Sequence, residues 1–208
     1  MTEVLWSSKE AQEATGGIVK GSWVANGVSI DSRTIRPKDL FVAIAGEKYN
    51  GKDFLQSSLD CGASAVMISD IDETNHPRLI VKDTLKGLED LGRFARQRTS
   101  AKIIAVTGSV GKTGTKDALK LLLSESGKTH SSEGSYNNHV GVPLSLARLP
   151  SDSDFAIFEI GMSQAGEIEP LSRLIHPNVV IITTVEPAHL ESFNSVDEIA
   201  LAKSEIFQ

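Results

Sequence analysis

Two glycines, a lysine and a threonine at close spacing give the clearest chemical signal in this sequence. Residues 107–114 read TGSVGKTG, directly after the apolar run IIAV and directly before a helical pattern. A loop between a buried strand and a helix offers free backbone N–H groups and the positive end of the helix dipole, so it favours phosphate. Gly108 and Gly111 allow a tight bend around the anion. Lys112 can reach the terminal phosphates, and the Thr113 hydroxyl lies where Mg²⁺ is normally held.

The spacing of this loop departs from the general phosphate-loop pattern. That pattern, G-x-x-x-x-G-K-[ST], has a glycine six residues before the lysine, and here Val106 occupies that position. The order of strand, glycines, lysine and threonine is kept, which indicates a shorter loop; the alternative is a glycine-rich turn with an incidental lysine. We predict nucleotide binding by the whole loop: Thr107, Gly108, Ser109, Val110, Gly111, Lys112, Thr113 and Gly114.

Two further polar residues follow buried strands. Glu159 closes the run FAIFE, and His189 follows NVVIITTV within the stretch VEPAHL. A carboxylate at the end of a buried strand is costly unless it is paired or binds a metal. Ligands gather at the carboxyl ends of parallel strands, so we expect both side chains on the same rim as the phosphate loop. The alternatives are a glutamate that faces solvent and a polar surface histidine.

The roles of one lysine and of two adjacent asparagines cannot be decided from the residues alone. Lys203 lies among apolar residues in IALAKSEIF, where by itself it suggests a helix lysine that extends its amine to solvent. Asn137 and Asn138, in GSYNNHVGVP, either bind a polar substrate or cap the helix that starts near Pro143.

The elements that must position these residues form an α/β pattern. From about residue 99 onward, apolar strand-like runs alternate with helical segments, which indicates a mostly parallel sheet covered on both faces. Before that point, Asn26-Gly27 suggests a hairpin, and apolar residues at helical spacing predict an amphipathic helix over residues 84–98. We therefore predict a small N-terminal α/β domain, 1–98, and a phosphate-loop domain, 99–208. The last residues stop inside a helical pattern with no strand after it, so we expect this second domain to be truncated.

Composition narrows the possible partners. The chain has 208 residues, a formal net charge of −6 and no Lys/Arg-rich run, which argues against binding nucleic acid through charge. A single cysteine, Cys61, excludes an internal disulfide framework and fits a reducing compartment. There is no signal-peptide pattern and no apolar run of the roughly 18 residues needed to span a bilayer. We expect a cytoplasmic monomer that binds small molecules and no membrane.

Several of these motifs together resemble the Mur ligases of bacterial peptidoglycan synthesis. The resemblance rests, in order, on TGSVGKTGTK, GSYNNHVGVPLSLARL, FEIGMSQAGEIEPLSRLIHP, TTVEPAHLESF and IALAKSEIF, and the N-terminal GVSIDSRTIRPKDLFVAIAGEKYNGKDF is similar to the family's substrate-binding domain. It implies an ATP-dependent reaction in which the carboxylate of UDP-MurNAc-tripeptide is phosphorylated and the amine of D-Ala-D-Ala then attacks the acyl phosphate. The shortened phosphate loop is the family's own form.

The resemblance also assigns roles to the candidate residues. Lys112 and the loop amides would hold ATP, with Thr113 and Glu159 on one Mg²⁺ and His189 near a second. Lys203 matches the family's carbamylated lysine, in which CO2 adds to the amine and supplies oxygen ligands for a cation.

Substrate contacts follow from the same resemblance. Ser32 and Arg33 match the segment that contacts the uridine diphosphate, and paired hydrogen bonds to phosphate suit arginine. Asn137 and Asn138 match a segment that lies against nucleotide and substrate.

Departures from the family pattern leave other functions open. Gly114 stands where many relatives have Thr or Ser, Thr183 and Thr184 stand where many have asparagine, and the family's C-terminal domain is absent from these residues, so we expect little activity from this chain alone. The alternatives are a nucleotide-binding or UDP-MurNAc-peptide-binding module without catalysis, the ligase that adds the third peptide residue, a folylpolyglutamate-type synthase, and a generic phosphate-loop kinase or GTPase.

Overall fold

A computed structural model describes residues 4–46, 50–69, 75–188 and 190–208. The chain divides into two compact units, residues 1–94 and 95–208, and the division falls inside a helix. None of the helices within the described ranges combines the length and apolar character needed to cross a bilayer.

The first unit is a mixed α/β structure. Its strands are β1 (Trp6–Ser7), β2 (Ile18–Lys20), β3 (Val24–Ala25), β4 (Gly27–Ser29), β5 (Asp39–Val42), β6 (Ala65–Ile68) and β7 (Arg78–Ile80). Its helices are α1 (Ser8–Thr15), α2 (Leu55–Asp60) and α3 (Thr84–Arg98), with 3-10 turns at Ser32–Thr34 and Gly51–Phe54. Among the described residues, β2-β7-β6-β5-β4 form one sheet, parallel except for the β2–β7 pair, while β1 and β3 pair antiparallel.

Local sequence rules account for much of this unit. Ser7 and Glu10 form a capping box at the start of α1, and Gly16 ends that helix with a left-handed backbone. The predicted helix over residues 84–98 is confirmed as α3. The hairpin at Asn26-Gly27 is wrong, because β3 pairs with β1 and β4 pairs in parallel with β5. The two short strands therefore belong to different sheets, and strand partners far along the chain override the local turn signal.

The second unit is a regular alternation of strand and helix. Its strands are β8 (Lys102–Thr107), β9 (Thr129–Ser131), β10 (Phe155–Glu159) and β11 (Val179–Ile182). Its helices are α4 (Lys112–Ser124), α5 (Gly141–Ala147), α6 (Ile168–Ile175) and α7 (Val196–Ser204), followed by a 3-10 turn at Glu205–Phe207. Within the described ranges the strands form a parallel sheet in the order β11-β8-β10-β9.

This sheet is covered on both faces, as the α/β pattern predicts. Ile103 and Ala105 of β8 pack into a large core with apolar residues of α5, α6 and α7. Ile104 and Val106, which alternate with them, face Leu119 and Leu123 on α4. Because side chains alternate along a strand, β8 lies in the middle of three layers. Its carboxyl end is the rim where the phosphate loop begins.

Candidate active site

The phosphate loop begins where β8 leaves the sheet. Val106, which occupies the place of the missing glycine, is a fully buried strand residue paired with Ile181 on one side and Glu159 on the other. The bend comes two residues later at Gly108, with φ of 149°, and again at Gly111, with φ of 86°. The loop is short because the strand continues through the position at which a longer loop would already have turned.

The segment after β11 holds this loop in place. The Ser109 amide donates to the Thr184 carbonyl oxygen at 2.9 Å, and the Val110 amide donates to Thr184 Oγ1 at 3.2 Å. Thr183 Oγ1 donates in turn to the Val110 carbonyl oxygen at 2.5 Å. Two of the loop amides predicted to bind phosphate are thus used within the protein. The first turn of α4, whose N-terminus has no side-chain cap, keeps amide donors for an anion.

Lys112 lies at the start of α4 beside this helix end. Its Nζ donates to the carbonyl oxygen of Gly108 at 2.7 Å, so the side chain folds back over the loop. A cationic amine next to uncapped helix N–H groups makes an anion site of the kind that phosphate occupies.

Glu159 is the centre of a three-residue cluster. Its side chain is 1% exposed, so the alternative of a solvent-facing glutamate is wrong. Thr113 Oγ1 donates to Glu159 Oε2 at 2.8 Å, and Asn137 Nδ2 donates to Oε1 at 2.8 Å. Both hydrogen bonds compensate the carboxylate for burial. A hydroxyl and a carboxylate in direct contact supply the oxygen ligands that Mg²⁺ prefers, so Thr113 and Glu159 fit that cation.

Lys203 is buried on α7 and 2% exposed, so the interpretation of a lysine that reaches solvent is wrong. Burial, together with the positive charge of Lys112, lowers the pKa of the Lys203 amine from 10.5 to about 8. The interaction with Lys112 shows that α7 brings this amine within electrostatic range of the phosphate loop. A lysine in such a site is neutral far more often than a surface lysine.

The two neighbouring asparagines do different work, although the sequence left capping and binding open for both. Asn138 Oδ1 accepts from the amides of Val140 and Gly141, at 3.2 and 2.8 Å, and so caps the first turn of α5. Asn137 points to Glu159 instead, and the Gly161 amide donates to the Asn137 carbonyl oxygen at 2.8 Å.

The predicted substrate residues Ser32 and Arg33 lie in the first unit, in the 3-10 turn after β4. Arg33 makes a two-pronged contact with Asp31, with Nη2 to Oδ2 at 2.6 Å and Nε to Oδ1 at 2.9 Å. The hydrogen bonds from Arg33 hold the pKa of the Asp31 carboxyl below its usual value. The Arg33 side chain is 86% exposed, which leaves it accessible to a ligand. His189 lies outside the described residues.

Sequence reasoning missed Lys116, a second lysine on α4. It is as buried as Lys203, at 2% exposure, and its Nζ donates to the carbonyl oxygens of Ser132 and Gly134. Its one sequence signal is position: it lies one helical turn after Lys112 and Thr113, on the side of α4 that they share. Such spacing is also typical of a surface lysine, so it could not have been singled out.

Two family domains match this chain. Residues 106–208 match the Mur ligase middle domain, and residues 24–98 match the catalytic domain of the Mur ligase family. Together these ranges contain the loop, Glu159, Lys203, and Ser32 and Arg33.

Individual relatives agree with the domain matches. A Rickettsia prowazekii protein named UDP-N-acetylmuramoyl-tripeptide--D-alanyl-D-alanine ligase is 39% identical over 99% of this chain and 46% of its own length. Crystal structure I of MurF from Acinetobacter baumannii has a TM-score of 0.86 at 32% identity and covers 97% of this chain and 46% of that one. A MurF ligase from Thermotoga maritima, solved in complex with ADP, has a TM-score of 0.72 at 30% identity, over 86% of this chain and 42% of that one. The chain thus spans about half the length of the relatives it matches.

Proposed function

The chain belongs to the Mur ligase family, and on that premise we propose that it carries the nucleotide site and the UDP-linked substrate site of an ATP-dependent ligase. The reaction joins D-Ala-D-Ala to UDP-N-acetylmuramoyl-tripeptide. One observation carries the proposal: the Thr113–Glu159–Asn137 cluster lies beside Lys112 at the carboxyl end of a parallel sheet. The relatives named as this ligase support the choice of substrates. The relative solved with ADP supports a nucleotide at the loop.

In the proposed reaction the protein positions groups and neutralises charge. A carboxylate oxygen of the tripeptide attacks the γ-phosphorus of ATP, which forms an O–P bond and releases ADP. The amine of D-Ala-D-Ala then attacks the acyl carbon, forms the C–N bond, and releases inorganic phosphate and a proton. Phosphoryl transfer of this kind depends mainly on alignment and on stabilisation of the phosphate charge. Lys112 and the first-turn amides of α4 supply that stabilisation.

Mg²⁺, when bound, would neutralise the phosphate oxygens and hold them in one arrangement. We assign Thr113 and Glu159 to that cation, with Asn137 holding the carboxylate in its orientation. His189 is proposed as a contributor to a second cation near the substrate carboxylate, from the family resemblance alone.

The substrate side of the proposal rests on the first unit. Arg33 is held by Asp31 in one orientation with its guanidinium exposed, so little side-chain entropy is lost when it binds a diphosphate. Ser32 adds a hydroxyl next to it. Asn138 contributes by capping α5, which fixes the segment that carries Asn137.

Lys203 is the proposed site of carbamylation. A neutral amine adds to CO2, the new N–C bond forms, and one proton is released to solvent. With a pKa of about 8, about half of the Lys203 amines are neutral at pH 8, against less than about one in a hundred for an ordinary lysine.

At fixed CO2 pressure, a ¹³C carbamate signal from protein equilibrated with ¹³CO2 is therefore expected to rise between pH 6.5 and 8.5. The Lys203→Arg variant should lack this signal, while Lys120→Arg, which changes an exposed lysine of α4, should retain it. A signal that survives Lys203→Arg would assign the carbamate to another amine and overturn this role.

Phosphate release tests the whole function. In the complete product of the gene, release from ATP is expected to require both UDP-MurNAc-tripeptide and D-Ala-D-Ala. Thr113→Val, which removes the hydroxyl and keeps the shape, should lower the rate by about 10-fold or more, on the scale of losing a ligand or its orienting partner.

Thr115→Val is the matched control, because it makes the same change two residues along α4, and it should leave the rate nearly unchanged. Binding of ATP and the UDP-linked peptide with no phosphate release would favour a binding module over a ligase. Release that is indifferent to D-Ala-D-Ala would exclude the proposed acceptor.

A further inference from the structure

Lys116 is a buried cation for which the proposed reaction has no direct use. Its side chain is 2% exposed, and its Nζ donates to the Ser132 carbonyl oxygen at 3.0 Å and the Gly134 carbonyl oxygen at 2.8 Å. A buried ammonium is costly unless its donors are satisfied. Two charge-assisted bonds to one short stretch of backbone therefore tie that stretch firmly to α4.

The backbone held by Lys116 is connected to Glu159 through the side chain of Asn137. From Gly134 the chain reaches Asn137 within three residues, and the Asn137 amide donates back to the Ser135 carbonyl oxygen at 2.8 Å. At the far end, the Gly161 amide donates to the Asn137 carbonyl oxygen at 2.8 Å. Segment 132–137 is thus anchored at both ends. Two side chains of the segment contact Glu159: Asn137 Nδ2 donates to the carboxylate oxygen Oε1 at 2.8 Å, and Ser132 Oγ accepts from the Glu159 backbone amide at 3.4 Å.

We propose that Lys116 is a positioning residue that orients the Glu159 carboxylate through segment 132–137. Helix α4 then acts on both carboxylate oxygens: Thr113 contacts Oε2 directly, and Lys116, one turn later on the same helix, sets the donor for Oε1. The cation site and the phosphate loop are thereby built on one rigid element. That the cluster holds a cation rests on the proposed function, whereas the link from Lys116 to Asn137 does not.

The first readout needs no ligand. In the ¹⁵N-labelled chain, the side-chain amide resonances of Asn137 are identified by their loss in Asn137→Asp. Lys116→Met, which keeps the length of the side chain and removes its donors, is expected to shift these resonances and to speed their exchange with water by about 10-fold or more. Lys120→Met removes an exposed lysine from the same helix and should leave them in place.

The second readout measures cation affinity. The Mg²⁺ concentration that gives half-maximal binding of ADP is expected to rise by about 10-fold in Lys116→Met, on the scale seen when a group that orients a metal ligand is removed. ADP affinity without Mg²⁺ should stay within about 2-fold, because Lys112 and the helix amides are untouched. Lys116→Gln, whose amide can still donate to one carbonyl, should fall between wild type and Lys116→Met in both readouts.

The outcomes separate this inference from the proposed function. If the wild-type chain shows no Mg²⁺-dependent ADP binding, the proposed function fails, and the Asn137 resonances still decide the role of Lys116. If Lys116→Met folds and those resonances do not move, the positioning role is overturned. If neither Lys116→Met nor Lys116→Gln folds, Lys116 serves the stability of the whole unit, and the positioning role is likewise rejected.

Discussion

Lys112→Met is expected to weaken ATP binding by about 10- to 100-fold. The amine lies over the loop, where it donates to the Gly108 carbonyl oxygen at 2.7 Å, and a bound phosphate would give it a charged acceptor in place of a neutral one. Hydrogen bonds to charged groups contribute about 1.5–3 kcal/mol, and every 1.4 kcal/mol corresponds to about tenfold in affinity. Isothermal titration calorimetry with ATP measures the change directly.

The matched control for this prediction is Lys120→Met. It removes the same charge from the same helix, two turns after Lys112 and on an exposed position, so it reports any general effect of net charge. Equal loss of affinity in the two variants would show that ATP responds to overall charge, and the assignment of Lys112 would be rejected.

Gly108→Ala is expected to lower the free energy of unfolding by about 2–5 kcal/mol. The backbone at Gly108 has φ of 149°, which side chains rarely allow, and an added Cβ would overlap the Thr183 hydroxyl and lie 3.1 Å from the amide nitrogens of Thr183 and Thr184. Backbone strain and overpacking each cost about 1–3 kcal/mol. Urea denaturation gives the change from the shift of the midpoint.

Gly114→Ala, in the first turn of α4, is expected to have the opposite effect on the free energy of unfolding. Gly114 is inside α4, and a Cβ there would meet nothing within 4 Å, so alanine should stabilise the helix by about 0.5–1 kcal/mol. Gly108→Ala combined with Thr183→Ala should recover part of the loss, because the overlapping hydroxyl is gone. If Gly108→Ala and Gly114→Ala have the same stability, the close approach of the loop to the Thr183 segment is not a constraint.

Much of the fold follows from patterns that are local in the sequence. Helix α3 spans the predicted residues 84–98, and α4 follows the phosphate loop as the helical pattern there predicts. The parallel sheet of the second unit also agrees with its apolar runs. Periodicity predicts such elements because it records which face of each one must be buried. The turn signal at Asn26-Gly27 failed because Gly27 is already part of β4, and β3 and β4 each pair with another strand.

The candidate site likewise has residues that the sequence could single out and contacts that it could not predict. Order and spacing singled out the loop, Lys112, Thr113 and Glu159 as candidates, because each lies directly after a strand or at the start of a helix whose position could be predicted. Lys203 became a candidate only through the family resemblance. The contacts that these residues make with one another could not be predicted from order and spacing. Which oxygen of Glu159 faces Thr113 and which faces Asn137 depends on three elements far apart in the chain.

By itself, then, the sequence determined the strand-loop-helix order, the residue types at the strand ends and the family. Only the tertiary structure decided that Thr184 takes up two loop amides and that Lys116 is buried against backbone carbonyls. The physical reason is that a polar side chain gains or loses its partners through burial, and its partners are supplied by segments that sequence spacing does not connect. A lysine on a helix has the same local pattern whether its amine meets water, a carbonyl oxygen or a second cation.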